Sequence, residues 1–131
     1  MAILLEIHSI LRWIIVSVAI IAIVKFLIGW VRKSEFDKID RGLSAGFSGL
    51  VDLQVTLGLL YFLITGFGGT GFPMFRIEHT VTMLIAAAVA HAPAMFKKRS
   101  WNKYAVSFFS VIGALLIIYV GVARLPGGWS R

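Results

Sequence analysis

The sequence predicts an all-α integral membrane protein, a single domain over 1–131 with four transmembrane helices in an up-down-up-down bundle and both termini outside. Its composition is 59% hydrophobic and 15% charged, whereas soluble domains average about 45–50% apolar and about 25% charged residues. The apolar residues are gathered in runs long enough to cross a bilayer, about 20 residues per helix. The chain begins without a basic segment or a small-residue cleavage site, so we expect no removable signal peptide.

Four apolar runs define the predicted helices in chain order. They cover approximately 2–30, 43–64, 77–96 and 104–123. Their hydrophobicity is continuous and does not alternate, which is typical of membrane helices and not of β-barrel strands. Short loops join sequential neighbours in bundles. In the simplest square arrangement, the first and third helices therefore lie diagonally across the core.

Lysines and arginines are distributed unequally between the two sides of this predicted bundle. Eight of them follow the first and third runs, and three lie on the other side (Arg32, Lys33, Lys38, Arg41, Lys97, Lys98, Arg99 and Lys103 against Arg76, Arg124 and Arg131). The positive-inside rule then places the two basic loops in the cytoplasm and both termini outside. We expect a multi-pass protein of a bacterial inner membrane.

Charge and cysteine content exclude several classes of function. The formal net charge of +7 is accounted for by the basic loops that fix orientation, so we do not expect nucleic-acid binding. The chain has no cysteine, which excludes disulfides, thiolate zinc sites and cysteine-attached haem. It shows no serine–histidine–aspartate pattern or carboxylate pair typical of a hydrolase. We expect an electron carrier rather than a stand-alone enzyme, but the sequence does not decide this.

Two histidines near the outer ends of diagonal helices are the main site candidates. His8 lies in the first run and His79 at the start of the third, at similar predicted depth. Paired imidazoles in a bundle core can hold a haem iron. Arg12 follows His8 by one helical turn on the same face, where it could balance a haem propionate or pair with Glu78. The alternative is that both histidines are interfacial residues that bond to loops and lipid headgroups.

His91 and Asp52 form a second candidate pair. His91 lies roughly 18 Å deeper than His79 and about 120° around the helix, so a second haem on the same face is disfavoured. Its predicted depth matches that of Asp52 in the second run. The two could form a proton-relay element or a hydrogen bond between helices. Gln54 is expected to face another side, and Lys25 to extend to the cytoplasmic surface.

Short motifs spread over three of the four runs resemble a group of small bacterial four-helix membrane proteins labelled cytochrome-b-like. The resembling segments are HSILRW (8–13), DLQVTLGLLYF (52–62), EHTVTM (78–83) and AH (90–91). This resemblance implies a b-type haem and membrane electron transfer, carried by His8, Arg12 and His79, with His91 as a further candidate. Some relatives have histidine at the position of Asp52, so an inner haem there would be lost in this chain.

Three hypotheses of function follow from the sequence. The first is a protein with one b-type haem near the periplasmic face, held by His8 and His79 with Arg12 beside a propionate, that passes electrons between the quinone pool and a partner oxidoreductase. A bound quinone is a further cofactor candidate. The second is a haem-free accessory subunit that packs against other subunits of a respiratory or photosynthetic complex in the lipid bilayer. The third is a small proton or solute permease that uses Asp52 and His91.

Overall fold

The computed structural model describes residues 2–130 and is all-helical, with no strand in that range. In chain order the helices are α1 (Ala2–Val31), α2 (Lys38–Thr65), α3 (Met74–Ala90), α4 (Ala92–Met95) and α5 (Lys103–Ala123). A π-helical turn (Gly66–Thr70) extends α2, and a 3₁₀ turn (Gly128–Ser130) ends the described chain. The predicted helical class is confirmed.

Three helices are long and apolar enough to cross a membrane, which agrees with a membrane protein. They are Ala2–Val31, Lys38–Thr70 and Lys103–Ala123. Few of their residues are buried within the chain, 28%, 11% and 39% of the most apolar windows, as expected for helices whose outer faces contact lipid rather than water. The four-helix topology, the outside location of the termini and the cytoplasmic location of the basic loops stay predictions.

The third predicted helix differs most from the expectation of one span over 77–96. Its main part, α3, has 17 residues and ends at His91, after which α4 continues for four residues. The physical reason is Pro93, which has no N–H and cannot bond to the carbonyl four residues before it, that of Val89. Ser110 of α5 donates to that carbonyl instead, with Oγ 2.7 Å from the oxygen.

Helix α2 begins five residues earlier than predicted because the preceding loop contains an N-cap. The Asp37 side chain accepts hydrogen bonds from the backbone N–H groups of Ile39 and Asp40, at 3.0 and 3.1 Å. The Asp40 side chain in turn accepts from the Asp37 N–H, at 3.1 Å. This reciprocal capping box satisfies N–H groups that have no partner within the helix.

Helices α1 and α3 each pack against α2 and α5. The core between them contains Ile15, Ala19, Ala22 and Phe26 of α1, Phe47 and Val51 of α2, Ala86 and Ala90 of α3, and Val111, Ala114 and Ile118 of α5. Many of these residues are small, which lets helix backbones approach closely. Among the described residues, a cavity lies at each end of the helices.

Candidate functional site

The larger cavity lies at the end where α1 begins and α5 ends, and we call it the terminal cavity. Its volume is about 270 Å³, close to the lower end of the range for small-molecule sites. Most of its lining is apolar. The polar and charged side chains among the lining residues are His8, Ser9, Arg12, Gln54, Tyr61, Thr70, Arg76, His79 and Thr80. The structure therefore brings His8, Arg12 and His79 to one cavity.

His79 projects from α3 and is held by a contact to α5. Its Nδ1 lies 3.2 Å from the backbone oxygen of Gly121. Because a carbonyl only accepts, Nδ1 carries the proton in this contact, and Nε2 of the neutral ring keeps its lone pair. Metal-binding histidines are commonly oriented by such a hydrogen bond from the other ring nitrogen.

His8 enters the cavity from α1 and lies against α2. A Cβ on Gly58 would stand 3.1 Å from His8 Cε1, so the absence of a side chain at Gly58 leaves space for the imidazole. The backbone oxygen of His8 accepts a hydrogen bond from Gln54 Nε2, at 2.7 Å. Its Nδ1 is buried and has no hydrogen-bond partner within the described chain. Buried polar atoms are usually bonded, so this nitrogen is a candidate ligand-binding atom.

Arg12 is buried, with 8% of its surface exposed. Its guanidinium contacts two indole rings, with Cζ 5.3 Å from the ring centroid of Trp13 and 5.2 Å from that of Trp129. Cation–π contacts of this length are favourable, more so when desolvated. Glu78, considered above as a partner of Arg12, forms an ion pair with Arg124 at 3.2 Å.

Sequence reasoning missed two lining residues, Arg76 and Gln54. Arg76 Nη1 donates to the Gly71 oxygen at 3.0 Å, and Nη2 donates to Thr65 Oγ1. The place of Arg76 could have been predicted from the sequence, because Arg76 precedes His79 by three residues and shares its helix face. Gln54 faces another side of α2 than Asp52, as expected, but its contact with His8 was not predicted.

Asp52 and His91 meet at a place separate from the terminal cavity. His91 Nε2 lies 2.7 Å from Asp52 Oδ2 and 2.9 Å from Oδ1. The side chain of Asp52, on α2, is 49% exposed, and that of His91, at the α3–α4 junction, is 40% exposed. This geometry connects two helices, and the pair does not line the terminal cavity.

Lys25, which was expected to extend to the cytoplasmic surface, has a side chain that is 36% exposed and forms an ion pair. Its Nζ lies 2.8 Å from Oδ1 of Asp40, whose side chain is fully buried. The Tyr104 hydroxyl is 2.6 Å from Asp40 Oδ2 and 2.8 Å from the Glu35 oxygen. These contacts tie α1, α2 and α5 together at the end opposite the terminal cavity, and we call them the Asp40 network.

Comparison with known proteins adds no relative. No protein-family model, no curated protein and no solved structure matches the chain. Within 2–130, no group of three or more histidine, aspartate or glutamate side chains is placed to hold a metal ion. His8 and His79 both line the terminal cavity, and this pair is the basis of the proposal below.

Proposed function

We propose that this protein binds one b-type haem in the terminal cavity and serves as a membrane electron carrier. The observation that carries the proposal is that His8 and His79 line one cavity, although they belong to two helices that each pack mainly on α2 and α5. Haem iron can be held by two axial ligands, and its potential is tuned by the protein around it. When bound, the haem supplies one-electron redox chemistry.

The two histidines fit an axial role in different ways. The bond to Gly121 orients His79 and keeps its Nε2 as the acceptor. The buried Nδ1 of His8 has no described partner, and the bond from Gln54 to the His8 backbone fixes this part of α1 relative to α2. Both rings are required in the neutral form, because a protonated imidazole has no lone pair for a metal.

Two guanidinium groups at the same cavity fit the propionates of a haem. Arg12 and Arg76 both line it, and each is held over aromatic rings, Arg76 at 5.7 Å from the Tyr61 centroid and 5.3 Å from that of Phe62. Guanidinium is the preferred cation for carboxylates in partly buried sites. Arg12 and Arg76 would therefore orient the group and balance its charge.

The proposed setting is a bacterial inner membrane, with four helices in an up-down-up-down bundle and the basic loops in the cytoplasm. In that orientation the terminal cavity lies near the periplasmic face. The source and acceptor of electrons would be the quinone pool and a partner oxidoreductase. The asymmetry of Lys and Arg between the two sides supports this orientation.

Spectroscopy of the purified protein tests the haem directly. We expect protein expressed with ample haem to give a b-type band in a reduced-minus-oxidised spectrum and a pyridine haemochrome. His8→Ala and His79→Ala should each abolish the band. His91→Ala is the matched control, because His91 is the remaining histidine and lies outside the cavity, so its variant should retain the band. A band that persists in the His8 variant would refute the axial assignment.

A haem-free accessory subunit is the second candidate, favoured by one observation. The contacts of Gln54 to His8 and of His79 to Gly121 already connect α1 to α2 and α3 to α5, which is what structural polar residues do in membrane proteins. This candidate predicts no b-type band and co-purification with larger membrane subunits. We do not propose a permease, because the bond between Asp52 and His91 is accounted for as a contact between two helices.

A further inference from the structure

The second cavity lies at the end of the helices that carries the loops 32–37 and 96–102, and we call it the basic cavity. Its volume is about 240 Å³. The start of α2, the α3–α4 junction and the start of α5 form its walls. Its lining includes the cationic side chains of Arg41, Lys97 and Lys103 and the hydroxyl groups of Ser44, Ser48 and Ser107.

The positive charge of this cavity is not balanced by the protein. No aspartate or glutamate is among the lining residues. The ion pairs of the described residues do not include Arg41, Lys97 or Lys103. His91 also lines the cavity, and its Nε2 is engaged with Asp52. A concave surface with charge of one sign concentrates ligands of the opposite sign.

A serine that is almost fully buried as a residue also lines the cavity. Ser107 is 1% exposed and lines the cavity, but no described residue bonds to its hydroxyl. Its neighbours differ: Ser110 donates to the Val89 oxygen at 2.7 Å, and Ser48 to the Ala45 oxygen at 3.1 Å. The Ser107 hydroxyl lies at the cavity wall, where it can donate to an anion.

The remaining wall is apolar and aromatic. Phe36, Phe96 and Trp101 line it, with the rings of Phe96 and Trp101 5.1 Å apart. Tryptophan is enriched at the level of lipid headgroups. A free inorganic anion would use only the polar half of such a cavity, whereas a phospholipid also brings glycerol and acyl carbons that match the apolar half.

We propose that the basic cavity binds a phosphate group through Arg41, Lys97, Lys103 and Ser107. Two sources carry this chemistry, the headgroup of an anionic phospholipid and free phosphate, and the apolar wall favours the lipid. Basic pockets between membrane helices are recurrent sites for phospholipid headgroups. The site is independent of the terminal cavity, and it does not require haem.

Binding of each source can be measured on the full-length protein in detergent. Phosphatidylglycerol with brominated acyl chains is titrated in mixed micelles, and quenching of Trp101 fluorescence is followed, with Trp101→Phe to subtract the other tryptophans. Phosphatidylcholine with the same chains controls for the neutral headgroup. Sodium phosphate is titrated separately, without lipid, by isothermal titration calorimetry.

Matched variants test which cations matter. The cavity variant replaces the three cations that line the cavity, Arg41→Gln/Lys97→Gln/Lys103→Gln. It should weaken binding about a hundredfold, since each cation near the headgroup contributes about fivefold. The control variant Arg32→Gln/Lys38→Gln/Lys98→Gln removes the same charge from the same end of the helices. Its three residues do not line the cavity, so binding should stay within about threefold, because charges that do not contact the ligand are screened by salt. Ser107→Ala should weaken binding about fivefold, with helix content checked by circular dichroism.

Each outcome decides the proposal. Preferential binding of phosphatidylglycerol that is lost in the cavity variant supports the lipid source. Saturable heat with sodium phosphate that is lost in the same variant, without preference between lipids, supports the phosphate site with free phosphate as its source. Absence of binding in both titrations, or equal losses in the two triple variants, would overturn it. If the triple cavity variant does not fold, the Ser107→Ala variant decides, and unchanged binding in that variant would overturn the proposal.

Discussion

The two polar clusters at opposite ends of the helices differ in how far their groups are satisfied. In the Asp40 network, the buried carboxylate accepts from Lys25, from Tyr104 and from the Asp37 N–H, at 2.8, 2.6 and 3.1 Å. In the terminal cavity, His8 Nδ1 and Gln54 Oε1 are buried and have no described hydrogen-bond partner. The carboxylate of the Asp40 network is therefore satisfied by hydrogen bonds, whereas the terminal cavity keeps buried polar atoms without a described partner.

The difference separates structural polar residues from candidate binding residues. A buried polar network stabilises a fold only when its members are all satisfied, and an unsatisfied buried group destabilises it. Packing reflects the same distinction. A Cβ at Gly29 would lie 2.4 Å from Tyr104 ring carbons, so the tyrosine fills the space beside α1 completely, whereas His8 and His79 face a cavity. We therefore expect substitutions to affect stability at the Asp40 network and ligand binding at the terminal cavity.

The largest effect on stability is expected for Asp40→Ala. This change removes the acceptor of three hydrogen bonds. At about 1 kcal/mol for each bond the expected loss is about 3 kcal/mol, and Lys25, whose side chain is 36% exposed, remains solvated. The measurement is the free energy of unfolding in detergent, followed by circular dichroism. A loss below about 1 kcal/mol would mean that the network is not a structural element, since that is the range of ordinary single contacts.

Tyr104→Phe should have an intermediate effect. The ring and its packing in the space at Gly29 are retained, and only the hydroxyl contacts to Asp40 and Glu35 are lost. A hydrogen bond to a charged group contributes about 1.5 kcal/mol, and the same unfolding measurement should report about this loss. Tyr119→Phe is the control, because Tyr119 is 58% exposed and should leave stability unchanged.

His8→Leu should separate stability from binding. Leucine fills a similar volume and removes an unsatisfied buried nitrogen, so the haem-free protein should change by less than about 1 kcal/mol. The b-type band should disappear from the reduced-minus-oxidised spectrum. A strong loss of stability in the haem-free protein, with no band in the unsubstituted chain, would instead support the accessory-subunit candidate.

The smallest effect is expected for Asp52→Ala. Its partner His91 is bonded across two helices at 2.7 Å, but both side chains are about half exposed. Interhelical polar contacts in membrane proteins contribute about 0.6 kcal/mol on average. Thermal unfolding should therefore shift little, and the b-type band should be retained. Loss of the band would connect this pair to the haem site and contradict the separation of the two places.

Part of the candidate site could be predicted from the sequence because depth along a helix follows from residue number. His8 and His79 were paired by depth, and Arg12 was placed on the face of His8 by its spacing. The contact of Gln54 with His8 was missed, since it depends on the rotation of α2 about its axis. The ion pair of Lys25 was also missed, because nothing local indicates that Asp40, fifteen residues later, returns to it.

The sequence by itself determined the class of the protein, because continuous hydrophobicity and the scarcity of charge are local properties that select helices in a membrane. It also determined where α1 and α5 lie, to within a residue at each predicted end. Only the tertiary structure decided which polar groups are satisfied, since the partners of Tyr104 and of His79 are 64 and 42 residues away. It also decided that the Val89 carbonyl, which Pro93 leaves without a helical donor, accepts from a serine on another helix.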